Sequence, residues 1–543
     1  MIVPVILSYN YLNTSKVDGL WIFYKFFSFA KENNLGIIGR EKYLESPSNY
    51  KNTWDLNENI RKMYNYDFPD IDFLKENRKY MITNKVEEYI INKNYDWSTL
   101  LSQSCKMLED EIESKINLIE QDKKEKIDII ITWYPFKSLE NICQKRNIKC
   151  ISVEFSSIRK EWYNYTLSSI SLNTKYNAKE DYNNISKFNS RENVILTREE
   201  LIILFSYKQD VMYNLKLLKE RPQYEIGYAL GLDNDPYEKS FSILQQKDII
   251  NELLNNYDCK DILFRQHPQS KTELSKHLFV DNSNNSREFI SKCDKLVISL
   301  SNIGYEGSLY GRKISYINPD FLSALGKKSN ISLLCDSIIT LEELNFITFY
   351  LYTPFSNIFD KKYLEDFVLK KNNVNVEYKK NVKKVFNDFN IDYKKIKTST
   401  IKERKRYLLK QIHNFSEEEI NYIETIMYNR NEILEKEELI RQNAELAKNK
   451  VELQNKIDQE QKVIYNYEIK IKKQLEEKLA LNNLNKVLNN SIIDIKKQQE
   501  LEVNQLLDKK EEINKELINI LNSKSWKLTK PLRIITGKLK GKK

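Results

Sequence analysis

A chain of 543 residues with 41% apolar side chains is long enough for two to four domains with real cores. Charged residues make up 30% and mean hydropathy is −0.61, and no run approaches the ~20 apolar residues of a membrane span, which excludes an integral helical membrane protein. A net charge of +10 allows an anionic partner, such as a nucleotide or a membrane surface, without selecting one. Cys105, Cys143, Cys150, Cys259, Cys293 and Cys335 lack the paired spacing of a zinc site or a disulfide framework. They read as reduced core thiols of a cytosolic protein.

Residues 1–195 read as a first α/β domain. The opening MIVPVIL is short for a signal peptide and suits a first strand over Val3–Leu7. Asp18-Gly19 marks a turn, Leu20–Ala30 an aromatic helix and Gly36–Ile38 a short strand. Residues 50–125 are helical in pattern. Ile127–Trp133, Ser138–Arg146 and Ile148–Val153 then form a strand, helix, strand unit. Glu154 falls at the carboxyl end of that last strand, where ligands bind in such sheets, and Arg159 lies in the same loop. A solvated Glu154–Arg159 pair is the plainer reading.

Residues 196–330 read as a second α/β domain. Thr197–Lys219 is a helical connector, broken at Arg221-Pro222. A strand over Ile226–Leu230 ends in Gly231-Leu232-Asp233-Asn234-Asp235-Pro236, and a helix over Glu238–Asn256 follows. Ile262–Phe264 is the next strand and ends in Arg265-Gln266-His267-Pro268. Leu296–Leu300 is another strand and ends in Ser301-Asn302. A helix over Gly304–Tyr310, stopped by Gly311, leads to a strand over Ile314–Ile317. His267, Ser299, Ser301, Asn302 and Glu306 would share the ligand-binding edge of a parallel sheet. Hydroxyl and amide groups at a helix start suit a phosphate. Each also has a structural reading: His267 as a turn residue, Glu306 as a complement to the helix dipole, Asp233 and Asp235 as turn residues before Pro236.

Residues 331–415 read as helical segments packed on these two domains. No proline occurs between Pro354 and Pro531, and no glycine between Gly326 and Gly537. Ser416 with Glu419 forms a capping-box pattern. Steps of seven then link Leu439, Leu446 and Leu453; Ile457, Ile464 and Ile471; Leu481, Leu488 and Ile495; and Leu506, Ile513 and Ile520. The pattern predicts a coiled coil over 416–522 that supports a homo-oligomer, with shifts of register between blocks and polar seam residues Lys450, Lys478 and Asn485. Residues 523–543 carry basic side chains among Trp526, Leu528, Leu532, Ile534 and Ile535, without an acidic one. Such a tail suits the anionic surface of an inner membrane, or stays solvated. Nucleic acid is not expected, because no reading module accompanies the basic residues.

RQHP (residues 265–268) and SLSNIGYEGSLYGRKISYI (residues 299–317) resemble the carboxyl-terminal domain of GT-B glycosyltransferases. More narrowly, they resemble capsule and O-antigen enzymes, including the retaining β-Kdo transferases. VEFSSIRKEW (153–162) resembles the Glu-containing loop of those enzymes, and ALGLDNDPY (229–237) their Asp-containing loop, although Gly231 stands where relatives often have Gln. NSKSWKLTKPLR (522–533) resembles a segment that ends many polysaccharide-locus transferases. The resemblance covers about residues 125–320 and the tail. It implies two Rossmann-like domains in a GT-B arrangement, followed by the long α-helical coiled coil.

On this resemblance His267 contacts the phosphate or cytidine of the donor. Ser299, Ser301 and Asn302 hold phosphate, Glu306 holds the ribose, and Arg265 and Arg159 join the substrate-binding set. Asp235 is the nucleophile, with Asp233 as its rival, and Glu154 the partner acid or base. The donor is a CMP-sugar such as CMP-Kdo, the acceptor a growing cell-surface polysaccharide or lipid-linked glycan, and neither a metal nor a further cofactor is needed. The implied place is the cytoplasmic face of the inner membrane, peripherally bound. Two rival functions remain open: a CDP-polyol phosphotransferase of teichoic-acid type, and a non-catalytic coiled-coil scaffold of polysaccharide assembly.

Overall fold

The computed structural model describes residues 1–10, 17–46, 57–68, 71–172, 184–232, 235–267, 274–299, 301–318, 330–369, 373–425 and, of the remainder, mainly 496–516, with a few single residues besides. The chain divides into two compact units, Met1–Glu432 and Ile433–Lys543.

The first unit holds two five-stranded sheets. One contains β1 (Ile2–Pro4), β2 (Ile129–Thr132), β3 (Lys149–Phe155), β4 (Leu167–Leu172) and β10 (Tyr352–Pro354), in the order β1-β2-β3-β4-β10. The first three are parallel, and β4 and β10 add antiparallel to β3 and β4. Continuous runs such as Ile129-Ile130-Ile131 suit a strand covered on both faces, and all three are buried. β4 escapes that rule: Ser168, Ser169 and Ser171 are buried on it, and Ser171 pairs with Ser152 of β3 through their hydroxyls at 2.9 Å.

The other sheet contains β5 (Tyr224–Ala229), β6 (Ile262–Arg265), β7 (Phe279–Val280), β8 (Cys293–Ile298) and β9 (Lys313–Tyr316), in the order β7-β6-β5-β8-β9. All four pairings are parallel. The chain runs outward from β5 through β6 and β7, then crosses back to β8 beside β5. This is the doubly wound order, whose crevice opens at the carboxyl ends of the central strands.

Several expected elements differ in detail. Gly36–Ile38 makes only a single bridge, Val5 to Ile38. The connector over Thr197–Lys219 is two helices, α1 (Arg198–Phe205) and α2 (Val211–Leu218), because the chain turns extended at Ser206. The helix over Glu238–Asn256 is also two, α3 (Pro236–Phe241) and α4 (Gln246–Asn256), with an extended break at Ser242. α5 (Ser286–Lys292) precedes β8, and α6 (Ile303–Leu309) connects β8 to β9. α6 packs closely on its strands: a Cβ on Gly307 would lie 2.5 Å from Leu296, and one on Gly304 would lie 2.3 Å from the Tyr316 hydroxyl. Glycine is scarce in this sequence, and asparagine takes its place at left-handed helix ends, as at Asn147 and Asn414.

The chain returns to the first sheet after completing the second. β10 pairs with β4, and Ile358, Leu364 and Val368 enter the first core. A second core joins one face of the second sheet to the helices up to Met427, and a smaller one covers its other face. Of the cysteines, Cys105, Cys143, Cys150 and Cys293 are buried, while Cys259 and Cys335 are only half-buried; all are free thiols.

The capping box at Ser416 forms: the Ser416 N–H donates to Glu419 Oε2 at 2.8 Å and the Glu419 N–H to Ser416 Oγ at 3.2 Å. The helix it opens is not yet coiled coil, since Ile420, Ile423 and Met427 are buried in the second core. In the second unit residues 496–516 are helical, and Leu506 and Ile513 of the seven-residue pattern are exposed. The other pattern positions, the seam residues Lys450, Lys478 and Asn485, and the tail 523–543 lie outside the described residues. Among the described residues no helix is long and apolar enough to cross a membrane.

Candidate active site

At the carboxyl edge of the second sheet lies a cleft of about 260 Å³. Its floor comes from the ends of β5 and β6 (Ala229, Leu230, Arg265, Gln266, His267). One wall is Ser301, Asn302 and the first turns of α6, and the other is Asn284–Arg287 at the start of α5. The loop after β3 of the first sheet covers it with Ser156, Ser157, Arg159 and Trp162. Hydrogen bonds fix that cover. Ser157 Oγ donates to the Asn302 carbonyl at 2.6 Å, Asn302 Nδ2 to the Phe155 carbonyl at 3.3 Å, and the Tyr163 hydroxyl to Glu306 Oε1 at 2.6 Å.

Three arginines line this space against one carboxylate, Glu306. Arg265 is oriented by Asp281 through a close ion pair, and its Nη1 also donates to the Ser283 carbonyl at 3.1 Å. Burial alone would raise the pKa of Asp281, but the Ser283 hydroxyl, Lys292 and Arg265 outweigh it and hold the carboxyl below its ordinary range. Arg287 is buried, donates to Asn214 Oδ1 at 3.1 Å and lies over the Tyr163 ring. Arg159 keeps only a loose ion pair to Glu161, at 3.7 Å, and its Nε has no hydrogen-bond partner. Guanidinium groups held in this way form a preorganised site for an anion.

The structure brings His267, Arg265, Ser301, Asn302, Glu306 and Arg159 to one cleft, as the sequence suggested. It does not bring the rest. Ser299 is buried, and its Oγ accepts from Asn318 Nδ2 at 2.8 Å; it braces the loop after β9 instead of facing the cleft. Both Glu306 oxygens are engaged, Oε1 by Tyr163 and Oε2 by Ser286 Oγ at 2.9 Å, so this residue ties the cover to the walls. Glu154 lies inside β3, one residue before its end and opposite Ser169 of β4, and is not among the lining residues. Its neighbour Phe155 points the other way along the pleat, to stack on Trp21.

Asp235 caps α3: its Oδ1 accepts the N–H of Tyr237 at 2.8 Å and of Glu238 at 3.2 Å. It lines a second cavity, which shares Leu230 with the cleft. Asp233 lies outside the described residues. Sequence reasoning missed Ser157, Trp162, Ser286 and Arg287. The first two lie in the quoted loop VEFSSIRKEW. The last two open α5 behind an Asn/Ser-rich run whose Asn285 accepts the Glu288 N–H, a cap signal that was there to be read.

Residues 6–171 match the model of the glycosyltransferase 99 family N-terminal domain. This match includes the part of the amino half, before residue 125, that the motif resemblance left uncovered. No curated protein matches the sequence. Among solved structures, the chain is similar to the β-Kdo 2,7-transferase KpsC of Thermosulfurimonas dismutans at 15% identity, over 42% of this chain and 78% of that one, with a TM-score of 0.28. The β-Kdo 2,4-transferase KpsC of the same organism aligns at 13% identity over 45% and 87%, with a TM-score of 0.27. UDP-GlcNAc 2-epimerase of Methanocaldococcus jannaschii, in complex with UDP-GlcNAc and UDP, aligns at 11% identity over 60% and 87%, with a TM-score of 0.24. With a glycosyltransferase family domain in its amino half, the chain is a glycosyltransferase.

Proposed function

We propose that the enzyme transfers a sugar from a CMP-linked donor such as CMP-Kdo to a growing surface polysaccharide or lipid-linked glycan. The arrangement would be GT-B, with the donor in the cleft at the second sheet. The observation that carries this reading is the convergence of Arg159, Arg265 and Arg287 with His267, Ser301 and Asn302 on one cleft at the switch point of a doubly wound sheet. A leaving CMP carries its developing charge on phosphate oxygens, and fixed guanidinium and hydroxyl groups stabilise it there. Asp235 is the reactive carboxylate; it lines the second cavity, which shares Leu230 with the cleft. The exposed apolar residues Leu506 and Ile513 support assembly of copies through the carboxyl-terminal helix, and the basic tail would hold the enzyme at an anionic membrane surface.

The test is a donor screen on purified protein with CMP-Kdo, CMP-sialic acid, CDP-glycerol and UDP-sugars, alongside His267→Ala and Asp235→Ala. The expected result is binding and turnover of one CMP-sugar, with binding weakened in His267→Ala and turnover abolished in Asp235→Ala while binding persists. Selective use of CDP-glycerol would move the assignment to polyol-phosphate transfer, and silence from every donor would favour a scaffold.

A further inference from the structure

The second cavity, about 680 Å³, is bounded by the start of α3, by α4 and by the stretch before β7. Glu238 stands on its wall one turn after Asp235 and is 6% exposed. Its Oε2 accepts the Gln246 side-chain amide at 2.5 Å, while its Oε1 has no hydrogen-bond partner. The Tyr228 hydroxyl, which feels the Glu238 charge, and Ser242 Oγ, at the end of the same short helix, are buried and unpartnered as well. Of the three only Glu238 lines the cavity. Buried polar groups are nearly always paired, so its bare oxygen on the wall of a cavity marks a place where a ligand's hydroxyl would be satisfied.

Glycine at 231 leaves room beside Glu238 and Gln246. A Cβ there would lie 3.3 Å from Gln246 Nε2 and 3.4 Å from Glu238 Oε2. Gln246 Nε2 donates both to Glu238 Oε2 and to the Leu232 carbonyl, the latter at 3.3 Å. Burial raises the pKa of Glu238 above the ordinary carboxyl range; the Gln246 bond works against this and the neighbouring Asp235 adds to it. The other charged or titratable groups on the cavity are Lys239, Lys247 and His277, all exposed. Two carboxyl groups in unlike environments, one capping a helix and one buried with a bare oxygen, are suited to separate tasks.

We propose that this cavity receives the acceptor sugar and that Glu238 is the general base of the transfer, a role that rests on the glycosyltransferase reading with Asp235 as the reactive carboxylate. In the first step the Asp235 carboxylate bonds to the anomeric carbon and the nucleotide leaves with the electron pair of its C–O bond. In the second, the acceptor hydroxyl gives its proton to Glu238 Oε1 and its oxygen bonds to the anomeric carbon. The bond from that carbon to Asp235 breaks, and the carboxylate is restored.

The test is rapid-mixing release of CMP from CMP-Kdo, with water standing in for the acceptor. Glu238→Gln should give a burst of about one CMP per enzyme and then a steady rate about 100-fold below wild type, without the pH limb of a carboxyl base. Glu238→Asp, a second variant that keeps a carboxyl, should retain that limb. CMP affinity should be unchanged in both. A steady rate in Glu238→Gln within about threefold of wild type, or loss of the burst together with the steady rate, would overturn the base assignment. Absence of CMP release from the wild-type enzyme would overturn the donor reading and this proposal with it, and is told apart because it shows before any variant is made.

Discussion

The two sheets of the first unit present carboxyl edges of the same kind and use them in opposite ways. Behind β2 and β3 the edge is closed by rings: Trp21 stacks on Phe155 at 5.2 Å, and Trp133 meets Phe155 edge-on at 4.9 Å. All three are nearly out of solvent. Behind β5, β6 and β8 the edge is open, and Arg265, His267 and Ser301 line it. A parallel sheet therefore offers an edge, and the residues that follow each strand decide whether it becomes core or site. The first half supplies the cover of the cleft, through the loop after β3, and little of its floor.

That contrast can be broken from either side. Trp21→Ala should cost about 3–5 kcal/mol of stability, read by denaturant unfolding, and leave donor affinity of the folded protein unchanged. A loss of affinity at equal fold would place a ligand at the closed edge. A second test separates the helical layer of the second half from its cleft. Burial alone would raise the pKa of Glu199, but Lys405 and Lys219 outweigh it and bring it to about 2. The Lys219 contact is 2.7 Å. A depressed carboxyl stabilises the fold above its unfolded value, so roughly 3 kcal/mol should be lost as pH falls from about 5 to about 2. Glu199→Gln should remove that dependence and leave donor affinity at neutral pH as it was.

Arg159→Ala should weaken donor binding about tenfold, worth roughly 1.4 kcal/mol, with little change in stability because the side chain is only loosely paired. The smallest effects come from two serines two residues apart. Ser299→Ala should cost about 1 kcal/mol of stability through its bond from Asn318 and spare donor affinity. Ser301→Ala should do the reverse, weakening the donor by a few-fold with melting unchanged. Equal behaviour of the two would mean that the edge is read by both.

Much of the second sheet was legible in the sequence. The runs Ile262–Phe264, Leu296–Leu300 and Ile314–Ile317, mostly apolar and bounded by turn residues, fall on β6 (Ile262–Arg265), β8 (Cys293–Ile298) and β9 (Lys313–Tyr316), although β8 begins three residues earlier than its run. β4 was not legible, because its buried faces carry Ser168, Ser169 and Ser171, and the partners of the last two, the Glu154 carbonyl and the Ser152 hydroxyl, lie on another strand. β7 and β10 are two and three residues long and exist only through their neighbours. The cleft residues that directly follow strands were found, since strand ends can be read locally. Arg287 and Glu238 were not, because each looks like an ordinary helix-surface charge. Packing buries them: α5 against Asn214 and Tyr163, and α3 against Gln246 after the break at Ser242. Ser299 was misjudged for the opposite reason, its hydroxyl being used by Asn318, a residue beyond β9.

On the proposed function the donor sits in the arginine-lined cleft of the second sheet. Calorimetric titration of CMP into wild type, Arg159→Ala and Trp21→Phe tests it most directly. CMP should bind wild type, bind Arg159→Ala about tenfold more weakly, and bind Trp21→Phe as it binds wild type. Full affinity in Arg159→Ala together with loss in Trp21→Phe would contradict it and move the donor to the first half.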